Sequence, residues 1–282
     1  MTQNRTWLRT GMLIDTHCHL DAAEFDLDRE AVIVRAQQAG VKGIVLPAVE
    51  VGNFQAVQSL AHALPGGCYA LGIHPLYVPK ASEADLDRLD AWLSRHINDS
   101  RLVAVGEIGL DFFVPELCEP AMRERQQHFY EVQLDLALNY QLPVLLHVRR
   151  SQDMLLKALR RRPSVGGIAH AFNGSFQQAG QFIDQGFALG FGGAMTFTRA
   201  LQLRRLATQL PLEHLVLETD APDIPPAWLG QPGAVRGRNE PAEVARIALA
   251  LAELRDVPVE DVINFTAQTA RRVLPRLPLT CG

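Results

Sequence analysis

Two patterns alternate along almost the whole chain. Short runs of apolar and β-branched residues occur at 12–16, 43–47, 68–72, 102–106, 144–147, 167–170, 187–190 and 214–217. Between most of them lie stretches with helical periodicity, among them 28–39, 84–96, 123–140 and 152–161, and 241–254 and 259–274 close the chain. Runs such as GIVLPAV and LVAVGEIG are apolar nearly throughout, which suits parallel strands covered on both faces. Eight strands alternating with helices define an α/β chain and point to a (β/α)8 TIM barrel. An open doubly wound sheet is the alternative. No G-x-G-x-x-G follows the first strand, which argues against the dinucleotide-binding version of that sheet. The length, 282 residues, fits one barrel domain over 1–282, with 1–11 as a frayed lead-in before the pattern starts at Met12. The Pro- and Gly-rich stretch 221–239 reads as a long functional loop after the last strand.

Charge narrows the partners. With 27 basic and 31 acidic residues the net charge is −4, which excludes a broad basic grip on duplex DNA and leaves room for a local basic pocket. A hydrophobic content of 48% excludes disorder as the main state. No apolar run approaches the roughly 18 residues of a membrane span. The start, MTQNRTWLRTG, lacks the apolar stretch of a secretory signal. Cys18, Cys68, Cys118 and Cys281 form no C-x-x-C pair and suit a reducing cytoplasm. A cytoplasmic protein with no membrane contact and no obligate protein partner is expected.

In such a barrel the chemistry gathers at the C-terminal ends of the strands, and that is where polar residues concentrate here. Strand one ends in Asp15-Thr16-His17-Cys18-His19, strand three in His74-Pro75, strand four in Glu107-Ile108-Gly109-Leu110-Asp111. Strand five ends in His147-Val148-Arg149, strand six in His170, and strand eight in Glu218-Thr219-Asp220. Five of the nine histidines thus fall at strand ends. His17 and His19, two apart on an extended chain, point to the same side, and Cys18 between them faces away into the core. Converging imidazoles and carboxylates are what a divalent-metal site needs. Two divalent cations are expected, His17, His19 and Asp220 holding one, His147 and His170 the other, with Glu107 bridging. A water between the ions would be acidified and become the nucleophile. Lys42, Lys80 and Lys157 all lie away from strand ends, so a carbamylated lysine bridge is not expected. Nitrogen-rich ligation favours Zn or Mn over Mg. His62, His96, His128 and His214 read as surface or packing residues.

Substrate contacts are expected from Arg149, which lines the same mouth as His147, and from Arg236 and Asn239 in the loop over it. Arginine forks match phosphate oxygens. His74 is either a donor to a phosphate or leaving oxygen or a structural turn residue. Asp220 would accept a proton during hydrolysis, and Glu218, two residues earlier, would support it.

The segments IDTHCHLD, GIHP, VGEIGLDF, LPVLLHVR behind the Gln126-Gln127 helix, HAFNG, ETDAP and the RG-x-NEP loop resemble, in order, those of the TatD family of metal-dependent deoxyribonucleases, within the amidohydrolase superfamily. The resemblance runs from Leu13 to about Leu274 and implies a two-metal site on His17, His19, Glu107, His147, His170 and Asp220. HAFNG stands where many members read H-C-F-S-G, and Asp223 follows Pro222 where an aromatic is usual; both fit a YjjV-like subgroup better. The resemblance implies 3′–5′ exonuclease-like hydrolysis of phosphodiesters, with single-stranded DNA ends as substrate and magnesium as a further candidate ion. Deacylation of D-aminoacyl-tRNA, a carboxylic ester hydrolysis, is the alternative, and a non-enzymatic metal-binding scaffold is the third reading.

Overall fold

The computed structural model describes residues 11–230 and 237–278. Residues 1–10 of the expected lead-in, Arg236 and Cys281 lie outside the described residues. Eight parallel strands lie side by side in chain order: β1 Leu13–Asp15, β2 Val41–Pro47, β3 Gly67–Leu71, β4 Leu102–Asp111, β5 Val144–Arg149, β6 Gly167–His170, β7 Phe187–Phe191 and β8 Leu215–Leu217. Helices α1 Arg29–Gln38, α2 Phe54–Ala63, α3 Glu83–His96, α4 Pro120–Asn139, α5 Gln152–Leu159, α6 Phe176–Asp184 and α7 Leu201–Gln209 follow β1 to β7 in turn, and α8 Val244–Arg255 and α9 Val259–Val273 follow β8. This is a (β/α)8 TIM barrel. Its seam closes through the segments after β1 and β8. Thr16 N donates to Leu217 O at 3.0 Å, Asp220 N to His17 O at 2.9 Å and His19 N to Ala221 O at 2.8 Å. The H-x-H segment and Asp220 are therefore brought together by the backbone bonds that close the barrel.

Strand alternation separates two apolar layers. Leu46, Leu71, Val105, Leu146, Ala169, Leu189 and Leu217 face the helices. Ile14, Val45, Leu145, Ile168, Ala188 and Val216 belong to a second cluster, in the barrel interior. Side chains two residues further along a strand share that inward face. So Leu145 leads to His147, Ile168 to His170, Ala188 to Gly190 and Val216 to Glu218. The polar centre is the next layer up in the same stack. Gly190 is small because a Cβ there would strike the Glu218 carboxylate.

The strand β4 runs to Asp111, five residues beyond the expected end at 106. Gly106 and Gly109 look like strand stops, yet Gly109 (φ +145°) lets β4 lie against the His147 backbone, where a Cβ would collide. The pairing of β4 with β5 shifts register between Val105 and Ile108, around Glu107. The last helix, α9, buries Val262, Ile263, Thr266, Ala267, Ala270 and Val273 on one face. Glu260 and Asp261 in its first turn and Arg271 and Arg272 in its last suit the helix dipole. No helix among the described residues is long and apolar enough to cross a membrane.

Candidate metal centre

Glu107 occupies the middle of the mouth, almost fully buried. Its Oε2 lies 2.9 Å from His17 Nε2, and its Oε1 lies 2.9 Å from His147 Nδ1. On the first side His19 Nε2 is 3.3 Å from His17 Nε2 and 3.4 Å from Glu107 Oε2, and Asp220 Oδ1 is 3.6 Å from His19 Nε2. On the second side His74 Nε2 is 3.0 Å from His147 Nδ1 and 3.4 Å from Glu107 Oε1. His170 joins the first side. Its ring stacks on His17 at 3.6 Å, and its Nε2 lies 3.5 Å from Asp220 Oδ1.

Close donor atoms therefore form three groups: His17, His19 and Glu107; His17, His170 and Asp220; His74, Glu107 and His147. All six expected ligands converge, but their grouping differs from the expectation. His147 and His170 are register partners on β5 and β6, yet their side chains turn to different neighbours. His147 meets Glu107 and His74, whereas His170 meets His17, Glu218 and Asp220.

The side chains fit divalent cations. Aromatic nitrogens and carboxylate oxygens crowd around common points with too few protons to link them all, the arrangement a cation resolves. The buried atoms His17 Nδ1 and Glu218 Oε2 make no hydrogen bond. Carboxylates also sit behind the ligands, as metal-binding histidines require. Asp111 Oδ2 lies 3.1 Å from His147 Nε2, and Glu218 Oε1 lies 3.1 Å from His170 Nδ1. Glu218 also accepts from Ala171 N at 2.6 Å.

Protonation follows from this crowding. Burial pushes the Glu107 carboxyl up, but the imidazoles of His74, His17 and His147 outweigh it and hold it well below the usual range. Burial and the neighbouring His170 push His17 down. Burial takes His74 down to about 4. The backbone N–H of Leu76 donates to His74 Nδ1 at 3.0 Å, so a neutral His74 carries its proton on Nε2, the nitrogen facing Glu107 and His147. This tautomer makes His74 a donor into the centre. Burial opposes ionisation of Asp111, but His147 and the N–H groups of Phe113 and Val114 bring its carboxyl to about 2.

Two side chains organise the centre without an expected role from the sequence. Asp15 is fully buried and accepts from Thr219 Oγ1 at 2.6 Å, Thr219 N at 2.9 Å and His17 N at 3.3 Å, which ties the two sides of the seam together. Asp111 is the other. Its position among the acids at strand ends was the only sequence signal. Asp220 itself holds a left-handed backbone (φ 58°), a conformation costly for a residue with a side chain and common at functional sites.

Arg149 reaches the mouth half-exposed, with Nη1 3.7 Å from Asp111 Oδ2. The loop residues behave differently from expectation. Asn239 is fully buried, and its Nδ2 donates to Thr219 O at 2.8 Å, Asp223 O at 2.8 Å and Ile224 O at 3.3 Å. It holds the loop around Asp220, with none of its own surface exposed. Neighbouring Arg238 is likewise engaged, with Asp28 at 2.7 Å and over the Phe25 ring at 4.6 Å. Cys18 is buried with its thiol against Ala221 O.

A TIM barrel whose C-terminal mouth gathers imidazoles around a buried carboxylate defines a metal-dependent hydrolase. The family model described as TatD related DNase matches residues 14–275, and the chain belongs to that family. It is 43% identical over 252 residues to an uncharacterized metal-dependent hydrolase, YjjV, of Escherichia coli K12, covering 88% of this chain and 92% of that protein. The crystal structure of YjjV, a TatD homolog, superposes with a TM-score of 0.85 at 41% identity, covering 93% of this chain and 98% of that one. Human Deoxyribonuclease TATDN3 is 30% identical over 270 residues, 94% of this chain and 95% of that protein.

Proposed function

We propose that this hydrolase cleaves phosphodiester bonds at the ends of single-stranded DNA, in the 3′–5′ sense, with two divalent cations. The observation that carries the reading is Arg149. It sets an exposed guanidinium beside the ligand set, 3.7 Å from the carboxylate that grips His147. A planar cation at that place matches a phosphate, whereas a carboxylic ester needs no such charge. The name of the human relative supports the same bond. His17, His19, Glu107, His147, His170 and Asp220 would hold divalent cations of Zn, Mn or Mg, which would supply an acidified water and polarisation of the ester oxygen. The chain's own groups supply the rest. Asp220 accepts the proton of the attacking water. Arg149 pairs with the phosphate charge that grows during attack. The neutral His74 donates a hydrogen bond from Nε2 to the departing oxygen, which takes its proton from water. The free thiols Cys18, Cys68 and Cys118 fit the reducing cytoplasm expected for such an enzyme.

The test loads the purified protein with Zn, Mn or Mg and offers three substrates in parallel. These are an end-labelled single-stranded oligonucleotide, a D-aminoacyl-tRNA and a small carboxylic ester. A ladder shortening from the 3′ end is expected. Turnover of the carboxylic esters alone would replace the nuclease reading by the deacylase one.

A further inference from the structure

Loops after β1, β2 and β8 carry Asp21, Glu24, Glu50 and Asp223. Phe112 and Phe113 follow β4, ahead of Glu116 and Glu119, whereas Arg149 ends β5 and Arg150 follows it. The end of β5 is therefore the side able to receive a polyanion.

On the receiving side the cations are stacked on rings. Arg149 Cζ lies 3.9 Å and Arg150 Cζ 4.7 Å from the Phe113 ring centroid, and Arg123 Cζ lies 4.3 Å over Phe112. Phe113 is 45% exposed, so a ligand can reach the ring. Arg150 adopts a left-handed backbone (φ 56°), an unfavourable conformation for arginine. Among the described residues no carboxylate pairs with Arg150, so two like charges share one ring with only Asp111 to offset them. Phe113 is fixed at its backbone, because its N–H donates to Asp111 Oδ1 at 2.8 Å. The other oxygen of that carboxylate faces His147 and Arg149. The platform is thus joined through one side chain to the metal-ligand set.

We infer that Phe113, Arg149 and Arg150 form a nucleotide platform on which one base of a single-stranded substrate stacks while its phosphates meet the two guanidinium groups. The inference rests on the nuclease reading and adds to it where the strand lies: across the corner formed by Phe113, Arg149 and Arg150 at the ends of β4 and β5. Base stacking on an aromatic ring tolerates any base, so the platform recognises a strand end without reading its sequence. Three arginines on one arc are too few for a duplex, which fits the net charge of −4.

The test measures binding of a fluorescein-labelled ten-residue oligodeoxythymidylate to the full-length protein by anisotropy. A chelator stops turnover, and hydrolysis is followed separately with metal. F113A is expected to weaken binding about tenfold, and F113W to restore it. R150A is expected to weaken binding and to lower the slope of log Kd against log salt by about 0.7, the value of one lost phosphate contact. F265A, an exposed ring on α9, serves as the control and binds as the parent does. Parent-like binding by both F113A and R150A, with hydrolysis intact in the parent, overturns the platform and leaves the nuclease reading standing. A parent that neither binds nor cleaves the oligonucleotide overturns both.

Discussion

Asp111 Oδ2 lies 3.1 Å from His147 Nε2, on the opposite edge of the ring from the Nδ1 that meets Glu107. The ionised carboxylate accepts the Nε2 proton and leaves the Nδ1 lone pair turned into the centre. The N–H groups of Phe113 and Val114 donate to the other oxygen at 2.8 and 3.0 Å, so the carboxylate cannot swing away. Asp111 thus positions His147, a candidate metal ligand.

D111A is therefore expected to weaken the affinity for a divalent cation by about 10–100-fold, the usual cost of losing such an outer partner. D111N keeps one acceptor and should fall between D111A and the parent. Competition with a calibrated chelator reads this without any turnover. Equal affinities in all three proteins would show that Asp111 serves only the turn at 113–114.

His74 gives a second separation. Its Nδ1 accepts from Leu76 N, which places the proton on Nε2. A histidine in that form donates and does not ligate. H74A is expected to lower kcat by about a hundredfold, the scale of losing one hydrogen-bond donor to a developing negative oxygen, with metal stoichiometry as in the parent. Loss of one ion from H74A, read by elemental analysis, would make His74 a ligand instead.

The barrel and the convergence of the six candidate ligands were legible for one reason: both are written in local periodicity. Apolar runs gave the strands, and the period-two step from His17 to His19 or from His147 to Arg149 indicated which side chains share a face. What periodicity does not carry is which ring turns to which neighbour. His147 and His170 sit side by side in register, and only side-chain rotation assigns one to Glu107 and the other to Asp220. Asp111 went unassigned because spacing places an acid at a strand end without saying which ring it turns to. Asn239 looked like a substrate residue because its loop follows β8 at the mouth. Its burial is decided by three backbone carbonyls that no spacing rule reveals.

That burial makes Asn239 a test of how the loop supports the centre. N239A strips the donor from the carbonyls of Thr219, Asp223 and Ile224, which flank Asp220. Leaving buried acceptors unpaired costs about 1–3 kcal/mol. Denaturant unfolding should show a loss in that range, and oligonucleotide cleavage should fall in kcat more than it rises in KM. A large rise in KM at unchanged stability would return Asn239 to the substrate-binding role.

Glu107 carries the sharpest consequence, because each of its oxygens serves a different group. Oε2 faces His17 and Oε1 faces His147, both at 2.9 Å. E107A removes the one side chain common to both sides of the mouth. Cleavage should fall by more than about a hundredfold, beyond the range of an outer partner, and fewer ions should be retained. E107Q preserves volume and one acceptor oxygen but removes the charge that balances the imidazoles. Its metal binding should fall nearly as far as that of E107A. In the metal-free state, removing one partner from a buried charged cluster costs about 3–5 kcal/mol. Both variants should therefore melt below the parent, while far-UV circular dichroism at low temperature reports an intact barrel. Parent-like cleavage by E107A would place the chemistry elsewhere in the mouth and leave the convergence of six ligands without a catalytic purpose.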